Sequence, residues 1–322
     1  MLNIHRRALL LAAPGLAAAG AVGAQAWPQR PIRLVVPYAP GGGTDVFART
    51  LAEGLRPILG QSVLVENRAG ANGIVGSEMV ARTEPDGQVF LVDTDAHSMN
   101  PHIMAALPFQ PLRDFAPVAL LSRFPMLLAA SGASPFHTAQ QLVAAARAAP
   151  RTIGFGTSDA AISFAGNLST RLANIEMVEV TYRGAGPMLN DLIAGHLPTS
   201  WNSTVAALPH LQAGRIRALG VTTTQRTSLL PDVPTLAEAG VPGYEFAGWY
   251  GMLAPAGLPA PIAARMGTAI EQAMREPTIR ERLLRTGSDL GMMGPEEFVT
   301  FLRAEDAKWA RAARDGLLQR AQ

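Results

Sequence analysis

Short apolar runs alternate with amphipathic helical repeats along most of this chain, and this alternation constrains the fold more than any other feature. The first cycle is an apolar run at 32–38, three consecutive glycines at 41–43 and a helical repeat at 45–60. Thr44 is the expected N-cap of that helix, and Gly60 is expected just beyond its end. Repeated cycles of this kind predict an α/β fold with parallel strands connected by helices.

Later cycles follow the same pattern. The runs at 116–124 and 125–131 are predicted as two strands that flank a possible crossover. Pro187 suits the first position of a helix that follows a glycine loop. Thr235 and Glu238 have the spacing of a capping box, which predicts a helix start there.

The N-terminus has the three parts of a secretory signal. Arg6 and Arg7 precede an apolar run from Ala8 to Val22, and small residues lead to a predicted cleavage site after Ala26. The run contains 15 residues, whereas a membrane-spanning helix needs about 20. We therefore expect export to the periplasm, by the general secretory route or, because of the paired arginines, by the twin-arginine route.

Composition limits the function classes. Removal of 26 residues from 322 leaves 296, which suggests two domains at about 100–200 residues each. The chain has no cysteine, so disulfides, iron–sulfur clusters and thiol catalysis are excluded. The net charge is +2 and the basic residues are scattered, so nucleic-acid binding is not expected.

The glycine loops do not match the phosphate-binding motifs. No lysine follows Gly41–Gly43, as a P-loop requires. A dinucleotide fingerprint would need glycine or alanine at Val46 or, after the second pair of glycines, at Asp159. The sole lysine, Lys308, lies in a predicted C-terminal surface helix, so a pyridoxal phosphate site is not expected either. We therefore predict no cofactor.

Two glycine loops nevertheless suit an anion. Gly41–Gly43 precede one helix, and Gly184–Gly186 follow a strand that ends at Tyr182. Such loops present free backbone N–H groups and the positive end of a helix dipole, beyond the carboxyl ends of the strands. The alternative is that these glycines only form tight turns.

Seven ordered stretches, spread over nearly the whole chain after the signal, resemble the Bug family, the extracytoplasmic substrate-binding proteins of tripartite tricarboxylate transporters. They are WPQRPIRLVVPYAPGGGTDVFAR, LGQSVLVENRAGANG, EPDGQ, PVALL, VTYRGAGPMLNDLIAGHLP, ALPHLQAGRIRALGVTTTQRTSLLPDVPTLAEAGVPGYE and WYGMLAPAGLP.

The resemblance implies a two-domain periplasmic binding protein of the Venus-flytrap, type II-like kind, each domain a mostly parallel sheet flanked by helices. Domain 1 would comprise 27–125 and 248–322, and domain 2 would comprise 126–247. Such a monomeric receptor binds a small carboxylate or amino acid between its domains. It presents the loaded form to membrane transporter subunits or to a sensor protein.

The resemblance also implies ligand-binding residues in loops of both domains. Carried over position by position, they are Tyr38, Ala39, Gly41, Gly42, Thr44, Asp45, Thr94, Asp95, Ser98, Thr157, Ser158, Asp159, Ser163, Tyr182, Arg183, Gly184 and Asn202. Asp45 falls in the first helical turn, which favours a dipole or capping role over contact with an anion. Tyr182 could instead be a packed aromatic residue, and Arg183 could face solvent.

Four positions depart from the usual pattern of the family. Asp159 replaces a glycine, Ser163 a histidine and Asn167 a glutamate, and Asn202 lies near a position that is often acidic. If Asp159 faces the cleft, it disfavours a second ligand carboxylate and favours an amine, unless it is protonated. The ligands of relatives are therefore unsafe to transfer.

Two other functions remain open. One is a ligand sensor without a cognate transporter. The other is an exported hydrolase or isomerase that uses Asp93, Asp95 and His97, or the loop at Ser158 and Asp159. The cluster of Asp93, Asp95 and His97 superficially resembles a set of metal ligands, although polar residues after a strand are more typical of a solvated loop. We predict no metal site and no enzymatic activity.

Overall fold

The computed structural model describes residues 27–182 and 185–318. The predicted signal at 1–26 and the predicted ligand residues Arg183 and Gly184 lie outside the described residues.

Strands and helices alternate as the sequence predicts. The strands are β1 (Ile32–Val36), β2 (Val63–Asn67), β3 (Val89–Thr94), β4 (Phe115–Ser131), β5 (Gly154–Thr157), β6 (Val178–Thr181), β7 (Thr199–Ser203), β8 (Ile216–Val221) and β9 (Ala247–Pro255). The helices are α1 (Gly43–Leu59), α2 (Ile74–Ala81), α3 (Ala96–Ile103), α4 (Ala139–Ala148), α5 (Ala160–Ala173), α6 (Ala185–Ala194), α7 (Thr204–Gln212), α8 (Ala260–Arg275), α9 (Pro277–Leu284) and α10 (Pro295–Arg314).

The strands form one mixed sheet in the order β2-β1-β3-β9-β4-β7-β5-β6, with β8 also paired to β4. Strands β1, β2 and β3 are mutually parallel at one end, and β5, β6 and β7 are parallel at the other. The long strands β4 and β9 connect these two halves and pair antiparallel to their neighbours. The predicted α/β class is confirmed.

The runs at 116–124 and 125–131 are one strand, not two strands beside a crossover. Strand β4 pairs with β9 up to Pro125 and with β7 from Met126 onward. Proline lacks the N–H that a continuous ladder requires. At Pro125 the hydrogen-bond ladder therefore passes from one partner strand to the other, and β4 itself continues.

Two of three predicted helix signals shift in the structure. Helix α1 begins at Gly43 with Gly42 as its extended N-cap, so Thr44 lies inside the helix. Pro187 is the third residue of α6 rather than the first, within the turn whose N–H groups lack intrahelical partners. Gly60 ends α1 at φ 65°, as predicted, in the left-handed region that glycine tolerates.

The predicted capping box at Thr235 forms, but no regular helix follows it. The Thr235 N–H donates to Glu238 Oε2 at 2.9 Å, and the Glu238 N–H donates to Thr235 Oγ1 at 3.1 Å. Residues 236–240 form a turn, and Gly240 at φ 93° ends it.

The C-terminal helices pack against the half of the sheet that contains β1 to β3. Helices α8 and α9 contact α1, and α10 contacts α3 and β4. In α10, Trp309 donates its indole N–H to Ser98 Oγ at 3.2 Å and packs edge-on against Phe164 of α5. Trp309 therefore touches elements from both halves of the sheet. None of the described helices combines the length and apolar character that crossing a bilayer requires.

Candidate functional site

Four helices begin around one cavity of about 230 Å³. Its lining includes Gly43 at the start of α1, Ala96 at the start of α3, Ala160 at the start of α5 and Ser203, the N-cap of α7. Each of these helices follows the carboxyl end of a strand, namely β1, β3, β5 or β7. First-turn N–H groups lack intrahelical partners and carry the positive end of the helix dipole, so the cavity suits a small anion.

A second cavity of about 280 Å³ adjoins the first. The two cavities share Asn72, Asp159 and Ala160 in their linings. We refer to both together as the cleft. The strand-end and loop residues of β5 and β6 that line only the second cavity include Thr157 and Tyr182.

The structure brings most of the predicted ligand residues to the cleft. Those that line it are Tyr38, Thr44, Thr94, Asp95, Thr157, Ser158, Asp159, Ser163 and Tyr182. Ala39, Gly41 and Gly42 are exposed on the preceding loop and do not line either cavity. Of the three loop glycines only Gly43, which was not predicted, contributes to the lining.

Asp45 holds the glycine loop in place through hydrogen bonds. Its carboxylate accepts hydrogen bonds from the Gly41 N–H at 2.9 Å, from Arg49 Nε at 3.0 Å and from Asn67 Nδ2 at 2.9 Å. Burial works against the charged carboxylate, but these hydrogen bonds outweigh it and lower the pKa of Asp45. Asp45 therefore bonds to the loop and does not line the cleft, and α1 has no side-chain capping hydrogen bond.

Ser98 and Asn202 also lie outside the linings of the two cavities. Ser98 donates to the Asp95 carbonyl oxygen at 3.1 Å and accepts from Trp309. Asn202 is buried in β7 and donates to Ser200 Oγ at 2.7 Å. Both side chains are used in internal hydrogen bonds instead.

Tyr250 lines the cavity although the sequence did not single it out. It lies on β9 directly opposite Thr94, and its ring packs between Phe47 and Phe124 at centroid distances of 4.9 and 4.5 Å. A Cβ atom on Gly43 would lie 2.5 Å from the Tyr250 hydroxyl. Tyr250 therefore explains why this helix begins with glycine. Its only sequence signal was its place within the family-like stretch WYGMLAPAGLP.

Tyr38 is held in place by the end of β3. Its hydroxyl donates to Asp93 Oδ1 at 2.8 Å and lies 2.9 Å from Thr94 Oγ1. Asp93 also accepts from Ser77 Oγ at 3.2 Å. Burial and the nearby Asp93 carboxylate raise the pKa of Tyr38, so the phenol is neutral at physiological pH.

The pair Asp93 and His97 lies in the core and lines neither cavity. The His97 ring packs against Phe109 and Phe115, and its side chain is fully buried. Its Nδ1 lies 3.3 Å from Asp93 Oδ2, without the geometry of a hydrogen bond. In the part of the chain that the structure describes, no three His, Asp or Glu side chains are grouped as metal ligands.

Asp95 is a buried carboxylate on the cavity wall. It is 3% exposed, and its Oδ2 atom has no hydrogen-bond partner among the described residues. Burial raises the pKa of Asp95 to about 7, with a further contribution from the negative charge of Asp159. Lys308 acts in the opposite direction and Glu305 in the same direction, and the raised value prevails.

Asp159 faces the same cavity from the other half of the sheet. Its Oδ1 caps α5 by accepting the Ile162 N–H at 2.9 Å, while the side chain stays accessible to solvent in the open cleft. Desolvation by the surrounding protein raises the pKa of Asp159 despite this hydrogen bond. The chain thus places its own carboxylate where α5 would otherwise offer free N–H groups to a ligand.

Two of the other replaced positions, Ser163 and Asn167, form a hydrogen-bonded group with Glu179, and Ser163 and Glu179 line the second cavity. Asn167 Nδ2 donates to Ser163 Oγ at 3.2 Å and to Glu179 Oε2 at 3.1 Å. Thr157 Oγ1 donates to the other oxygen of Glu179 at 2.8 Å. Glu179 was not predicted as a site residue, because nothing in its short strand indicates that it lies beside α5.

Residues 47–316 match the protein family described as "Tripartite tricarboxylate transporter family receptor". Protein BugT of Bordetella pertussis is 31% identical over 315 residues, which cover 95% of each chain. The structure of R. palustris Rpa4515 with adipate aligns with a TM-score of 0.85 at 32% identity, over 92% of this chain and all of that one. MatC of Rhodopseudomonas palustris, with bound malate, aligns with a TM-score of 0.78 at 29% identity, over 89% of this chain and all of that one.

Proposed function

This chain belongs to the tripartite tricarboxylate transporter receptor family, and we propose that it is a receptor that captures a small carboxylate-bearing solute in the cleft. The convergence of four helix N-termini on one cavity carries this proposal. Gly43 and Thr44 in the first turn of α1 line the cavity, and the free N–H groups of such a turn would hold a ligand carboxylate without a basic side chain. The adipate and malate complexes of the two similar structures support a carboxylate ligand.

We propose no chemical step for this receptor. The Asp93–His97 pair is internal to the core, and the Asp159 carboxylate is bonded to the backbone. Ser158 lies 3.4 Å from the carboxylate of Asp159, and the described residues that line the cavities include no histidine. Loaded receptor would deliver the solute to transporter subunits in the membrane, as a monomer in the periplasm after removal of residues 1–26.

The proposed division into domains at 125/126 and 247/248 has support in the sheet. Pro125 is the register partner of Ala247, so both predicted crossovers lie side by side in adjacent strands. Two neighbouring crossovers are suited to hinge motion, because the two halves can rotate about one short line.

Calorimetric titration of the refolded chain from Trp27 onward tests the proposed function. The panel would include mono-, di- and tricarboxylates with and without amino groups. A ligand at about 100 times its Kd should stabilise the protein by about 2.7 kcal/mol in a parallel thermal-shift measurement. Absence of saturable binding across the panel would contradict the receptor function. Turnover of a bound solute that is lost in Asp95→Ala would show that the protein is an enzyme.

A further inference from the structure

Two carboxylates face one cavity from opposite halves of the sheet. Asp95 comes from the end of β3 and Asp159 from the end of β5. No lysine, arginine or histidine is among the described residues that line either cavity. An uncompensated pair of acids is an unusual lining for a site that accepts only anions.

One oxygen of Asp95 lacks the partner that a buried carboxylate oxygen normally has. Buried polar atoms are nearly always hydrogen-bonded, and buried charges are nearly always paired. Asp95 occupies the N-cap position of α3 without making a capping hydrogen bond, and its Oδ2 has no partner. Lys308, the cation that acts on Asp95, donates to Glu305 Oε1 at 2.5 Å and lies 4.1 Å from the Trp309 ring centroid. The Asp95 Oδ2 atom is therefore a buried, unpaired acceptor on a residue that lines the cavity.

Asp159 is fixed in position and still accessible. Its Oδ1 is bound to the Ile162 N–H, which holds the carboxylate against the start of α5. Because the side chain remains solvent-accessible in the cleft, it can approach a ligand without rearrangement. An ammonium group between Asp95 and Asp159 would have charge-assisted hydrogen bonds available on both sides.

We propose that Asp95 and Asp159 form an ammonium subsite, so that this receptor prefers solutes that carry an amino group together with a carboxylate. This inference rests on the proposed receptor function, since the carboxylate would lie at the N-terminus of α1. Gly43 and Thr44 of α1 line the same cavity as the two acids. In one small cavity, the N-terminus of α1 therefore suits an anion, and the two aspartates suit a cation. A dicarboxylate would instead place its second charge against two acids.

A neutral Asp95 that donates a hydrogen bond to a ligand carboxylate is the competing explanation. The charged and titratable groups that act on Asp95 or respond to it are Asp159, Glu305, Lys308, Tyr38 and Tyr250. Burial raises the pKa of both tyrosines, whereas the raised pKa of Asp95 is about 7, so Asp95 changes its charge near neutrality and the tyrosines do not. The two explanations predict opposite pH dependences of ligand binding. An ammonium binds better as Asp95 loses its proton, whereas a carboxylate binds better as Asp95 gains one.

Matched ligand pairs test the subsite. Affinities of the wild type for succinate and aspartate, glutarate and glutamate, adipate and 2-aminoadipate, and butyrate and 4-aminobutyrate would be measured by calorimetry at about pH 8. In at least one pair the amino member should bind about tenfold more tightly or better. The preference should fall about tenfold in Asp95→Asn and in Asp159→Asn. Asparagine keeps the shape of both side chains and can cap α5.

Asp232→Asn is the matched control, because Asp232 is exposed and lines neither cavity. It should leave the preference unchanged. Lowering the pH from about 8 to about 5.5 should weaken binding of the amino member. Equal or tighter binding of the members without an amino group would overturn the subsite and leave the receptor function intact. Stronger binding of an amino member at low pH, or an unchanged preference in both variants, would overturn it as well. Failure of all eight solutes to bind would contradict the subsite, and absence of binding across the wider carboxylate panel as well would contradict the receptor function.

Discussion

Pro125 of β4 and Ala247 of β9 are register partners in adjacent antiparallel strands, although they lie far apart in the sequence. At this point β4 exchanges β9 for β7 as its hydrogen-bonded neighbour. The chain thus passes between the two halves of the sheet at Pro125 and at Ala247, which are neighbours in adjacent strands. Any rotation of one half against the other would be concentrated there.

Ligand binding should close the cleft about this line. The chain contains no cysteine, so labels can be attached at chosen pairs of sites. Val75 of α2 and Leu172 of α5 are both exposed and lie in different halves. Spin labels on Val75→Cys/Leu172→Cys should move closer at saturating ligand, as measured by electron–electron double resonance. Labels on Leu64→Cys/Val75→Cys, within one half, should keep their separation. Tight binding with both distances unchanged would count against closure.

Gly43→Ala should weaken ligand binding and lower the free energy of unfolding by about 1–3 kcal/mol. The added Cβ would lie 2.5 Å from the Tyr250 hydroxyl, and the Tyr250 ring cannot move freely between Phe47 and Phe124. Chemical denaturation and calorimetric titration measure the two effects.

The double variant Gly43→Ala/Tyr250→Phe should recover part of the stability, because it removes the clashing oxygen. Gly267→Ala is the control, since no atom lies within 4 Å of its Cβ position in the middle of α8. That substitution should stabilise the protein by about 0.5–1 kcal/mol. A Gly43→Ala variant as stable as the wild type would show that the close approach is unimportant.

Asp45→Asn should destabilise the protein by about 1–3 kcal/mol near neutral pH, because it weakens hydrogen bonds to Gly41 and Arg49. The pKa of Asp45 is lower in the folded protein than its ordinary value. Its stabilising contribution is therefore present above the unfolded-state pKa and is lost as the pH falls through the folded-state pKa. Urea denaturation should show a difference from the wild type that shrinks as the pH falls below about 4.

Asp95→Asn should have the opposite effect on the ligand-free protein. The folded-state pKa of Asp95 is raised to about 7, so the wild type loses stability as the pH rises from about 4 to about 7. The variant lacks this loss and should be more stable than the wild type at about pH 8, by roughly 1–4 kcal/mol. The two proteins should be similar near about pH 3, below both pKa values of Asp95. Equal stability at about pH 8 would mean that Asp95 is paired in solution.

Local patterns predicted much of the fold. The apolar period, the glycine loop and the Gly60 terminus of α1 depend on contacts within a few residues, so the sequence contains them directly. The error at Pro125 has the same origin, because a proline in an apolar run normally ends a strand. Only the exchange of partner strands allows β4 to continue there.

The site was predictable in part for the same reason. Loop residues that follow β1, β3 and β5 could be identified from their position after an apolar run, and Thr44, Asp95 and Asp159 do line the cavity. Tyr250 could not be identified in this way. It projects from the middle of a buried strand, and its place beside Gly43 depends on how β9 pairs with β3.

By itself the sequence determined the alternating α/β elements, the glycine loop and the presence of an aspartate after each of β3 and β5. The tertiary structure decided that those two aspartates share one cavity, and that Asp159 caps α5 while the Asp95 Oδ2 atom lacks a partner. It also decided that Asp45 bonds to the glycine loop rather than lining the cavity. The physical reason is that helix caps and strand periods arise from neighbouring residues. The interaction between two charges depends on their separation and on the surrounding dielectric, and both are set by how the halves of the sheet pack.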